Sequence, residues 1–464
     1  MDMSDFEGIK LSLEQERALT LMLSGRNVFL TGEAGTGKSA VIHAFKRRCG
    51  RRLVCLAPTG LAALLIGGET IHRFFRFQVC VLPVGPLPFM DELQRRRLDA
   101  VDTVLIDEVS MVRSDVFQAI DTALRHAAPP GLERVPFGGK QIIVVGDYFQ
   151  LGPIAREFEI TQYLQAHLGG MYSFCAPAWA AANFANVVLR QVHRQKDRKS
   201  LEALNAIRTG NIVYAYGDDI HDKSFGDFIS LVNKECFRPG VPVDPAAVAL
   251  CATRDLADYI NRLAISSIPG VEFVFNASID RDFPWDIFPT DNELRVKIGE
   301  RVMLIANDSK AGYVNGDVGV VVDVPAEEFA VKVRLDRGID VIVRPFFWDN
   351  FHHELTCDAN GMPALVPTIV GRFSQIPLIP AYAITTHKSQ GKTLDAVRLV
   401  LGNVGCFATG QLYVALSRCR NLKRLSLDRP IAFEDCIVDP AVLAFYREID
   451  PTGQYCACPL CLKS

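Results

Sequence analysis

A glycine-rich segment near the start of the chain, Gly32 to Ser39, has the residue types and spacing of a phosphate-binding loop. Its glycines let backbone N–H groups wrap around a phosphate, and Lys38 supplies a positive charge for the β- and γ-phosphates. The Ser39 hydroxyl is suited to ligate Mg²⁺. The segment therefore predicts a site for ATP and Mg²⁺. Gly35, Thr36 and Gly37 are predicted to contact the nucleotide through their backbone.

Two carboxylates and one amide follow later apolar runs of the chain. Asp107 and Glu108 come directly after Val104 to Ile106, and Gln150 comes shortly after Ile142 to Val145. Ligands of open α/β sheets bind at the carboxyl ends of the strands, where these side chains would meet. Asp107 is then expected to hold Mg²⁺ and Glu108 to orient or deprotonate the attacking water. Gln150 is suited to sense the γ-phosphate, although a loop glutamine bonded to backbone is the alternative.

Two further features have competing structural explanations. Ser12 and Gln15 have the spacing of a capping box at the start of a helix, so Gln15 could be purely structural. Near the C-terminus, Cys456, Cys458 and Cys461 supply three thiols, whereas a closed zinc site needs four ligands. A reduced tail is the default interpretation of these cysteines.

The apolar runs that lead into the nucleotide-binding candidates are short and rich in β-formers, with longer helix-like stretches between them. This alternation is typical of a parallel sheet that helices cover on both faces. Residues 27 to 145 therefore predict an α/β nucleotide-binding domain. Its predicted strands are Val28 to Thr31, Leu53 to Ala57, Val104 to Ile106 and Ile142 to Val145.

A second α/β pattern starts at Ala247 to Thr253 and resumes at Ala381 to Thr385, so one domain is predicted to be split in sequence. The residues between the two halves contain the turn signals Asn315-Gly316 and Arg337-Gly338 and several short strand-like runs. We interpret this stretch as a small inserted β-barrel. Its predicted strands are Leu294 to Ile305, Asp317 to Val324, Phe329 to Leu335 and Ile339 to Val343.

Composition places limits on function. A chain of 464 residues with 49% hydrophobic and 22% charged residues is typical of a soluble protein with two or three domains. We find no bilayer-length apolar run and no signal-peptide pattern, so we expect no membrane partner and a cytoplasmic location, nucleoid-associated in a prokaryote. The net charge of −3 means that any contact with nucleic acid must rest on local basic surface. The 13 cysteines lack paired spacings over most of the length and indicate reduced thiols.

Taken in order, these motifs resemble those of the Pif-type DNA helicases of helicase superfamily one, relatives of RecD. The resemblance covers nearly the whole chain. One departure is Leu151-Gly152-Pro153, where the family has Leu-Pro-Pro. The matching segments are Leu11 to Gln15, Gly32 to Ser39, Ala57 to Gly60, Gly68 to His72, Ile106 to Met111, Pro136 to Lys140, Gly146 to Leu151, Val192 to Gln195, His387 to Gly391 and Gly410 to Arg418.

The resemblance implies an α/β fold of two RecA-like P-loop domains with a small β-barrel inserted in the second. The predicted boundaries are 1–200 for the first domain, 201–293 with 367–464 for the second, and 294–366 for the barrel. It also implies a monomeric, ATP-dependent helicase that moves 5′-to-3′ on single-stranded DNA. Such an enzyme would act on DNA with a 5′ single-stranded tail in repair, recombination or telomere and replication maintenance. A preference for G-quadruplex DNA stays open.

Individual residues receive roles from the same resemblance. Gln15 is expected to contact the adenine and Gln150 the γ-phosphate, with Gln411 as a further nucleotide contact. Arg194 and Arg418 would act as arginine fingers from the two sides of the cleft. Two guanidinium groups neutralise the developing charge only when the two domains close on the γ-phosphate.

A predicted DNA track starts within Thr70 to Gln78, where basic and aromatic residues alternate as they do in single-strand-binding proteins. The alternative is that the phenylalanines are core, and for at least two of them we prefer it. The resemblance assigns several other motifs to the strand-binding face. The predicted DNA contacts are Thr59, His72, Phe74, His387 and Lys388. Phosphate contacts carry no sequence code, so binding should be sequence-tolerant and sensitive to salt.

Three functions remain open at this point: a helicase, a translocase that moves without unwinding, and a DNA-binding adaptor that uses the P-loop as a nucleotide switch. Strand separation would depend on a wedge, for which Phe137 to Lys140 is the candidate. A switch needs no complete hydrolytic set, so the joint presence of that set argues against the adaptor. Its members are Lys38, Asp107, Glu108, Gln150, Arg194 and Arg418.

Overall fold

The computed structural model describes residues 10–78, 80–85, 90–154, 158–192, 198–210, 224–241, 244, 247–308, 310–325, 328–357, 363–390, 394–419 and 422–453. The helices are α1 (Leu13–Leu23), α2 (Lys38–Arg48), α3 (Gly60–Leu65), α4 (Ile71–Phe75), α5 (Glu92–Asp99), α6 (Ser114–Ala127), α7 (Phe158–Leu168), α8 (Pro177–Ala182), α9 (Arg198–Thr209), α10 (Ser224–Cys236), α11 (Arg254–Ser266), α12 (Gln411–Ser417) and α13 (Pro440–Ile449). The first strands are β1 (Val28–Gly32), β2 (Leu53–Ala57), β3 (Glu69–Thr70), β4 (Thr103–Ile106), β5 (Gln141–Val145), β6 (Ala185–Leu189) and β7 (Val248–Cys251). The later strands are β8 (Glu272–Asn276), β9 (Ser278–Arg281), β10 (Glu293–Lys297), β11 (Arg301–Leu304), β12 (Val318–Asp323), β13 (Val331–Leu335), β14 (Asp340–Val343), β15 (Phe346–Cys357), β16 (Pro363–Gln375), β17 (Leu378–Pro380), β18 (Ala383–Thr385), β19 (Val397–Val400) and β20 (Leu425–Leu427).

The first unit is built on a parallel sheet with the strand order β3-β2-β4-β5-β1-β6. Strands β1, β4 and β5 are buried along their whole length, because both faces of the sheet are covered. The predicted α/β fold and the four predicted strands of this unit are confirmed. The carboxyl ends of β4, β5 and β1 lie side by side, and the segments that follow them form the candidate site.

The second unit is a smaller parallel sheet with the order β18-β7-β19-β20. Strand β7 precedes the long insertion, whereas its neighbours β18 and β19 follow it. Helix α12 packs on this sheet through buried apolar side chains such as Leu412 and Leu416. This packing fixes the position of the C-terminal motif segment relative to the sheet.

The residues between these halves form antiparallel strands, but the predicted barrel is not confirmed. Within the described residues, β14-β13-β12-β11-β17 form one sheet, β15-β16-β9 a second and β10-β8 a third, and no sheet closes on itself. The predicted strand Leu294 to Ile305 is in fact two strands, β10 and β11. A turn separates them because Gly299 adopts a φ of 90° and the Glu300 carboxylate accepts a hydrogen bond from the Lys297 N–H at 3.0 Å.

The domain boundaries stay a prediction, but several contacts cross them. Strand β8 pairs with β10 over the border at residue 293, and β16 runs through the border at residue 366. Helix α13 follows the second unit in sequence but packs into the core of the first, through Val442, Leu443 and Tyr446. The Tyr446 hydroxyl also lies 2.6 Å from Thr31 Oγ1 at the end of β1.

None of the helices in the described part of the chain combines the length and the apolar character required to cross a bilayer. The three C-terminal cysteines, Cys456, Cys458 and Cys461, lie outside the described residues.

Candidate nucleotide site

The glycine-rich loop after β1 has the backbone shape that its sequence predicts. Gly35 and Gly37 adopt φ values of 86° and 82°, a region that L side chains rarely occupy, and Gly37 caps the N-terminus of α2. The Lys38 ammonium donates to the backbone oxygens of Gly32 (2.7 Å) and Glu33 (3.1 Å). Its charge is therefore held at the mouth of the loop, where a phosphate would bind.

The two predicted catalytic carboxylates lie at the end of β4. The Glu108 N–H donates to Asp107 Oδ1 at 2.9 Å, and Glu108 has a φ of 51°. Burial, with the neighbouring Glu108 charge as a second cause, raises the pKa of Asp107 to about 7. Burial also raises the pKa of Glu108, and the Lys38 ammonium opposes that rise. Two adjacent half-buried carboxylates at this edge favour the binding of a positive charge.

A Mg²⁺ ion bound together with a nucleotide would supply this positive charge. Mg²⁺ usually takes one or two carboxylates and completes its shell with phosphate oxygens and waters. Asp107 offers a carboxylate, and Ser39 offers a hydroxyl in the exposed first turn of α2. No cluster of three His, Cys, Asp or Glu side chains suited to a metal occurs among the described residues, and a nucleotide-bound Mg²⁺ does not require one.

A residue of the second unit reaches these carboxylates directly. Gln390 Nε2 donates to Glu108 Oε2 at 2.9 Å. Gln390 belongs to the segment His387 to Gly391, which resembles the family, but its residue type and spacing predict no role of its own. Only its position in that segment could have drawn attention to it.

Gln150 lies in the segment that follows β5, with its side chain buried. Its N–H donates to the Asp147 carbonyl at 2.9 Å, so the segment forms a tight turn. Helix α12 abuts this turn closely: a Cβ on Gly410 would lie 2.3 Å from the Phe149 carbonyl oxygen. The end of β5 therefore lies at the contact between the two units. A direct role for Gln150 at the γ-phosphate stays a prediction.

The predicted arginine finger Arg418 follows α12 and is 2% exposed. Its guanidinium donates to the Val414 carbonyl (2.9 Å), to the Ser389 carbonyl (3.4 Å) and to the Ser417 hydroxyl (2.7 Å). Its charge is close enough to Glu108 to oppose the burial-driven rise of the pKa of that carboxyl, although less than Lys38 does. Arg418 thus lies beside the cleft. The second predicted finger, Arg194, lies outside the described residues.

The two predicted glutamine contacts of the nucleotide are used differently in the structure. Gln15 completes the capping box with Ser12, and its Nε2 also donates to the Thr36 carbonyl of the phosphate loop at 2.9 Å. Gln411 is 1% exposed, accepts hydrogen bonds from the N–H groups of Phe407 and Ala408, and donates to the Ala252 carbonyl. Gln15 therefore supports the loop, and Gln411 is engaged within the second unit. Adenine or nucleotide contact by either side chain stays a prediction.

The predicted DNA contacts lie on both units. Lys388 is exposed and His387 is half-buried, and burial lowers the pKa of His387. In the first unit Thr59 Oγ1 accepts from the Ala62 N–H at 3.3 Å at the start of α3. His72 is half-buried, and burial lowers its pKa as well. The DNA role of these four residues stays a prediction.

Phe74 must be corrected. Its side chain is 0% exposed and belongs to the core of the first unit, with the Arg97 guanidinium 4.6 Å from its ring centroid. An aromatic ring stacks on a nucleobase only through an exposed face. The interpretation of the phenylalanines as core therefore holds for Phe74, because it packs in the main core cluster of the first unit.

Comparison with known proteins identifies the family to which the chain is similar. A family model described as PIF1-like helicase matches residues 10–215. The chain is 33% identical to the ATP-dependent DNA helicase Pif1 of Bdellovibrio bacteriovorus, an alignment that covers 95% of this chain and 93% of that relative. It is 31% identical to the ATP-dependent DNA helicase PIF1 of Homo sapiens, of which it spans 64%.

Solved structures give the same result. The crystal structure of Bacteroides sp Pif1 in complex with ADP-AlF4 matches with a TM-score of 0.83 at 30% identity, covering 96% of this chain and 98% of that one. Bacteroides Pif1 bound to ssDNA matches with a TM-score of 0.64 at 30% identity, covering 95% and 97%. The phosphate loop, the paired carboxylates and these similarities together show that the chain belongs to the family of Pif1-like helicases.

Proposed function

We propose that the chain is an ATP-dependent DNA helicase that moves 5′-to-3′ on single-stranded DNA and unwinds duplexes that carry a 5′ single-stranded tail. Its two parallel-sheet units act as two RecA-like motor domains, and one copy of the chain is sufficient. The names of its relatives, and the nucleotide-bound and ssDNA-bound structures of the Bacteroides protein, support this proposal.

One observation carries the coupling between ATP and DNA. The 2.9 Å hydrogen bond from Gln390 to Glu108 joins the segment that holds His387 and Lys388 to a carboxylate of the nucleotide site. DNA bound anywhere along this short segment would shift it, and Gln390 would transmit the shift to Glu108. Hydrolysis is then fast only when a strand is bound.

The nucleotide site has the parts that hydrolysis needs. Lys38 pairs with the β- and γ-phosphates, and Glu108 orients the attacking water or accepts its proton. Ser39 and Asp107 would hold Mg²⁺, which supplies charge neutralisation on the phosphate oxygens when bound. Gln150 reports the γ-phosphate to the turn against which α12 packs.

Movement follows from opening and closing of the cleft. With ATP bound, Arg418 and Arg194 pair with the γ-phosphate and draw the second unit onto the first. Hydrolysis breaks the bond between the β- and γ-phosphates, and release of the resulting inorganic phosphate removes the charge that holds the two units together. The two units grip DNA in turn, so each cycle advances the protein along the strand.

The first test is ATP hydrolysis by the wild type and by Lys38→Ala, with and without single-stranded DNA. A coupled motor shows strong stimulation by DNA in the wild type and loss of hydrolysis in the variant. Weak hydrolysis that DNA does not change would contradict the motor and favour a nucleotide switch.

The second test uses fluorescent duplexes with a 5′ tail, a 3′ tail or no tail. Release of the strand only from the 5′-tailed duplex, dependent on ATP, agrees with the proposal. Movement along single strands without strand release would make the protein a translocase, and release from the 3′-tailed duplex would reverse the polarity. A G-quadruplex placed after the 5′ tail shows whether such DNA is also a substrate.

A further inference from the structure

A buried ion pair lies behind the phosphate loop and has no role in the mechanism described so far. Arg208, near the end of α9, donates through Nε to Asp147 Oδ2 at 3.0 Å and through Nη2 to Asp147 Oδ1 at 2.9 Å. The two side chains are 5% and 0% exposed. The guanidinium also lies over the rings of Phe149, at 4.6 Å, and Tyr446, at 5.5 Å. The pair is therefore fixed in position by two hydrogen bonds and two aromatic rings.

The Asp147 carboxylate is close to the nucleotide-binding charges. Asp147 follows β5, which pairs with β1, the strand that leads into the phosphate loop. Burial lowers the pKa of Lys38. The negative charge of Asp147 opposes this lowering, and it does so more strongly than the charge of Glu108. It also contributes to the raised pKa of Glu33 in the loop. The negative charge of Asp147 therefore acts on the Lys38 ammonium, which must bind phosphate.

Arg208 determines whether this charge is compensated. Lys38 points at the carbonyls of Gly32 and Glu33, while the Asp147 oxygens receive the two hydrogen bonds from Arg208. Without the guanidinium, the buried carboxylate would attract the Lys38 ammonium and repel the triphosphate. Both effects would weaken the binding of ATP.

The same carboxylate is tied to the second unit. Tyr413 on α12 accepts a hydrogen bond from the Ala34 N–H of the phosphate loop at 2.8 Å. Its hydroxyl donates to Asp147 Oδ2 at 3.4 Å. The loop, the segment that holds Gln150 and α12 therefore meet at Asp147.

We propose that Arg208 is a positioning residue of the nucleotide site: it neutralises Asp147, which leaves Lys38 available to the triphosphate, and it anchors the turn that holds Gln150. This inference rests on the proposed binding of ATP. Arg208 would be a third arginine of the site, besides the two predicted arginine fingers. It would act on ATP through the Asp147 carboxylate and would not contact the nucleotide itself.

The test measures the dissociation constant of a fluorescent ATP analogue with Mg²⁺ and without DNA. Arg208→Gln leaves Asp147 uncompensated and should weaken binding roughly tenfold or more. The double variant Arg208→Gln/Asp147→Asn carries neither charge and should recover to within roughly threefold of the wild type. Arg208→Lys keeps the charge and should lie near the wild type.

A merely structural role predicts a different pattern. The double variant would then bind ATP as poorly as Arg208→Gln or worse, and that outcome overturns the proposal. Equal losses in Arg208→Lys and Arg208→Gln would also overturn it, because the charge would not be the cause. If Arg208→Gln does not fold, the wild type becomes the reference: the double variant and Arg208→Lys must then both bind ATP within roughly threefold of the wild type, and a larger loss in either overturns the proposal.

A matched control is the buried pair of Arg97 and Glu69, whose side chains are 2% and 1% exposed with 2.6 Å between nitrogen and oxygen. Glu69 lies on β3, four strands away from β1 in the sheet. Arg97→Gln should lower the melting temperature but leave the ATP dissociation constant unchanged. A wild type that fails to bind the analogue would contradict the proposed function itself, which distinguishes the two failures.

Discussion

The candidate nucleotide cleft and the segments with the predicted DNA contacts, Thr59, His72, His387 and Lys388, differ in how their charges are held. In the cleft, Asp107 and Glu108 are buried enough to raise the pKa of both carboxyls, and Gln390 and Lys38 act on Glu108. Lys38 itself donates to two backbone carbonyls. Each charged group in the cleft is therefore linked to several others.

The predicted DNA contacts are more accessible to solvent. Lys388 is exposed to solvent, and His72 and His387 are half-buried. An exposed charge such as that of Lys388 interacts through water and is screened by salt, so it acts nearly alone. We therefore expect a single substitution in the cleft to reduce hydrolysis strongly, whereas a single substitution at a predicted DNA contact should weaken DNA binding only slightly.

The largest expected effect is that of Glu108→Gln. The amide keeps the shape of the side chain but cannot accept a proton from water, so the hydrolysis rate should fall by roughly 10²- to 10⁴-fold. Binding of ATP should stay close to the wild-type value, because the phosphate contacts come from the loop. Steady-state hydrolysis and binding of a fluorescent ATP analogue measure the two quantities separately. A fall of less than about fivefold would remove Glu108 from the chemical step.

Gln390→Ala is expected to have the next largest effect and tests the link between the two regions. Loss of the hydrogen bond to Glu108 should reduce DNA-stimulated hydrolysis by roughly tenfold, the size expected for a bond to a charged group. Hydrolysis without DNA should change much less, because the loop and both carboxylates remain. The readout is the ratio of the hydrolysis rates with and without saturating single-stranded DNA. An unchanged ratio would show that the contact does not transmit DNA binding.

The raised pKa of Asp107 predicts a pH effect of intermediate size. Because the pKa of about 7 in the folded protein exceeds the ordinary value of 3.8, the folded state holds its proton more tightly than the unfolded chain. This contribution to stability is present at low pH and is lost as the pH rises towards and through about 7. Without Mg²⁺, the melting temperature of the wild type should therefore fall more between about pH 5 and pH 8 than that of Asp107→Asn.

Deprotonation of Asp107 destabilises the folded state but favours the binding of Mg²⁺. Mg²⁺ binds the carboxylate, so the Mg²⁺ requirement of hydrolysis should rise as the pH drops below about 7. Titrations of Mg²⁺ at several pH values measure this shift. Identical pH profiles of the melting temperature for wild type and Asp107→Asn would contradict the assigned titration.

Much of the cleft could be predicted from the sequence, because local pattern determines it. The phosphate loop needs glycines at fixed positions, and Asp107 and Glu108 follow a continuous apolar strand. These signals lie within a few residues of one another. The parallel sheet and its helices follow from the same periodicity.

Contacts between distant segments could not be predicted in this way. Arg208 and Asp147 are separated by 61 residues, and Gln390 and Glu108 by 282. Nothing local in the sequence indicates such pairs. Phe74 is a residue for which the local pattern gave a wrong prediction. The alternation of basic and aromatic residues predicts an exposed surface, but the burial of each ring depends on which side of α4 packs into the core.

The smallest expected effect is that of Lys388→Ala. Removal of one exposed phosphate contact should weaken binding of single-stranded DNA a few-fold and reduce the salt dependence of the binding constant by roughly one counterion. The rate of hydrolysis at saturating DNA should not change, because Gln390 still reaches Glu108. Fluorescence anisotropy with a labelled oligonucleotide at several salt concentrations gives the slope. A variant that lost DNA-stimulated hydrolysis even at saturating DNA would show that Lys388 belongs to the linked charges of the cleft, and the distinction between the two regions would not hold there.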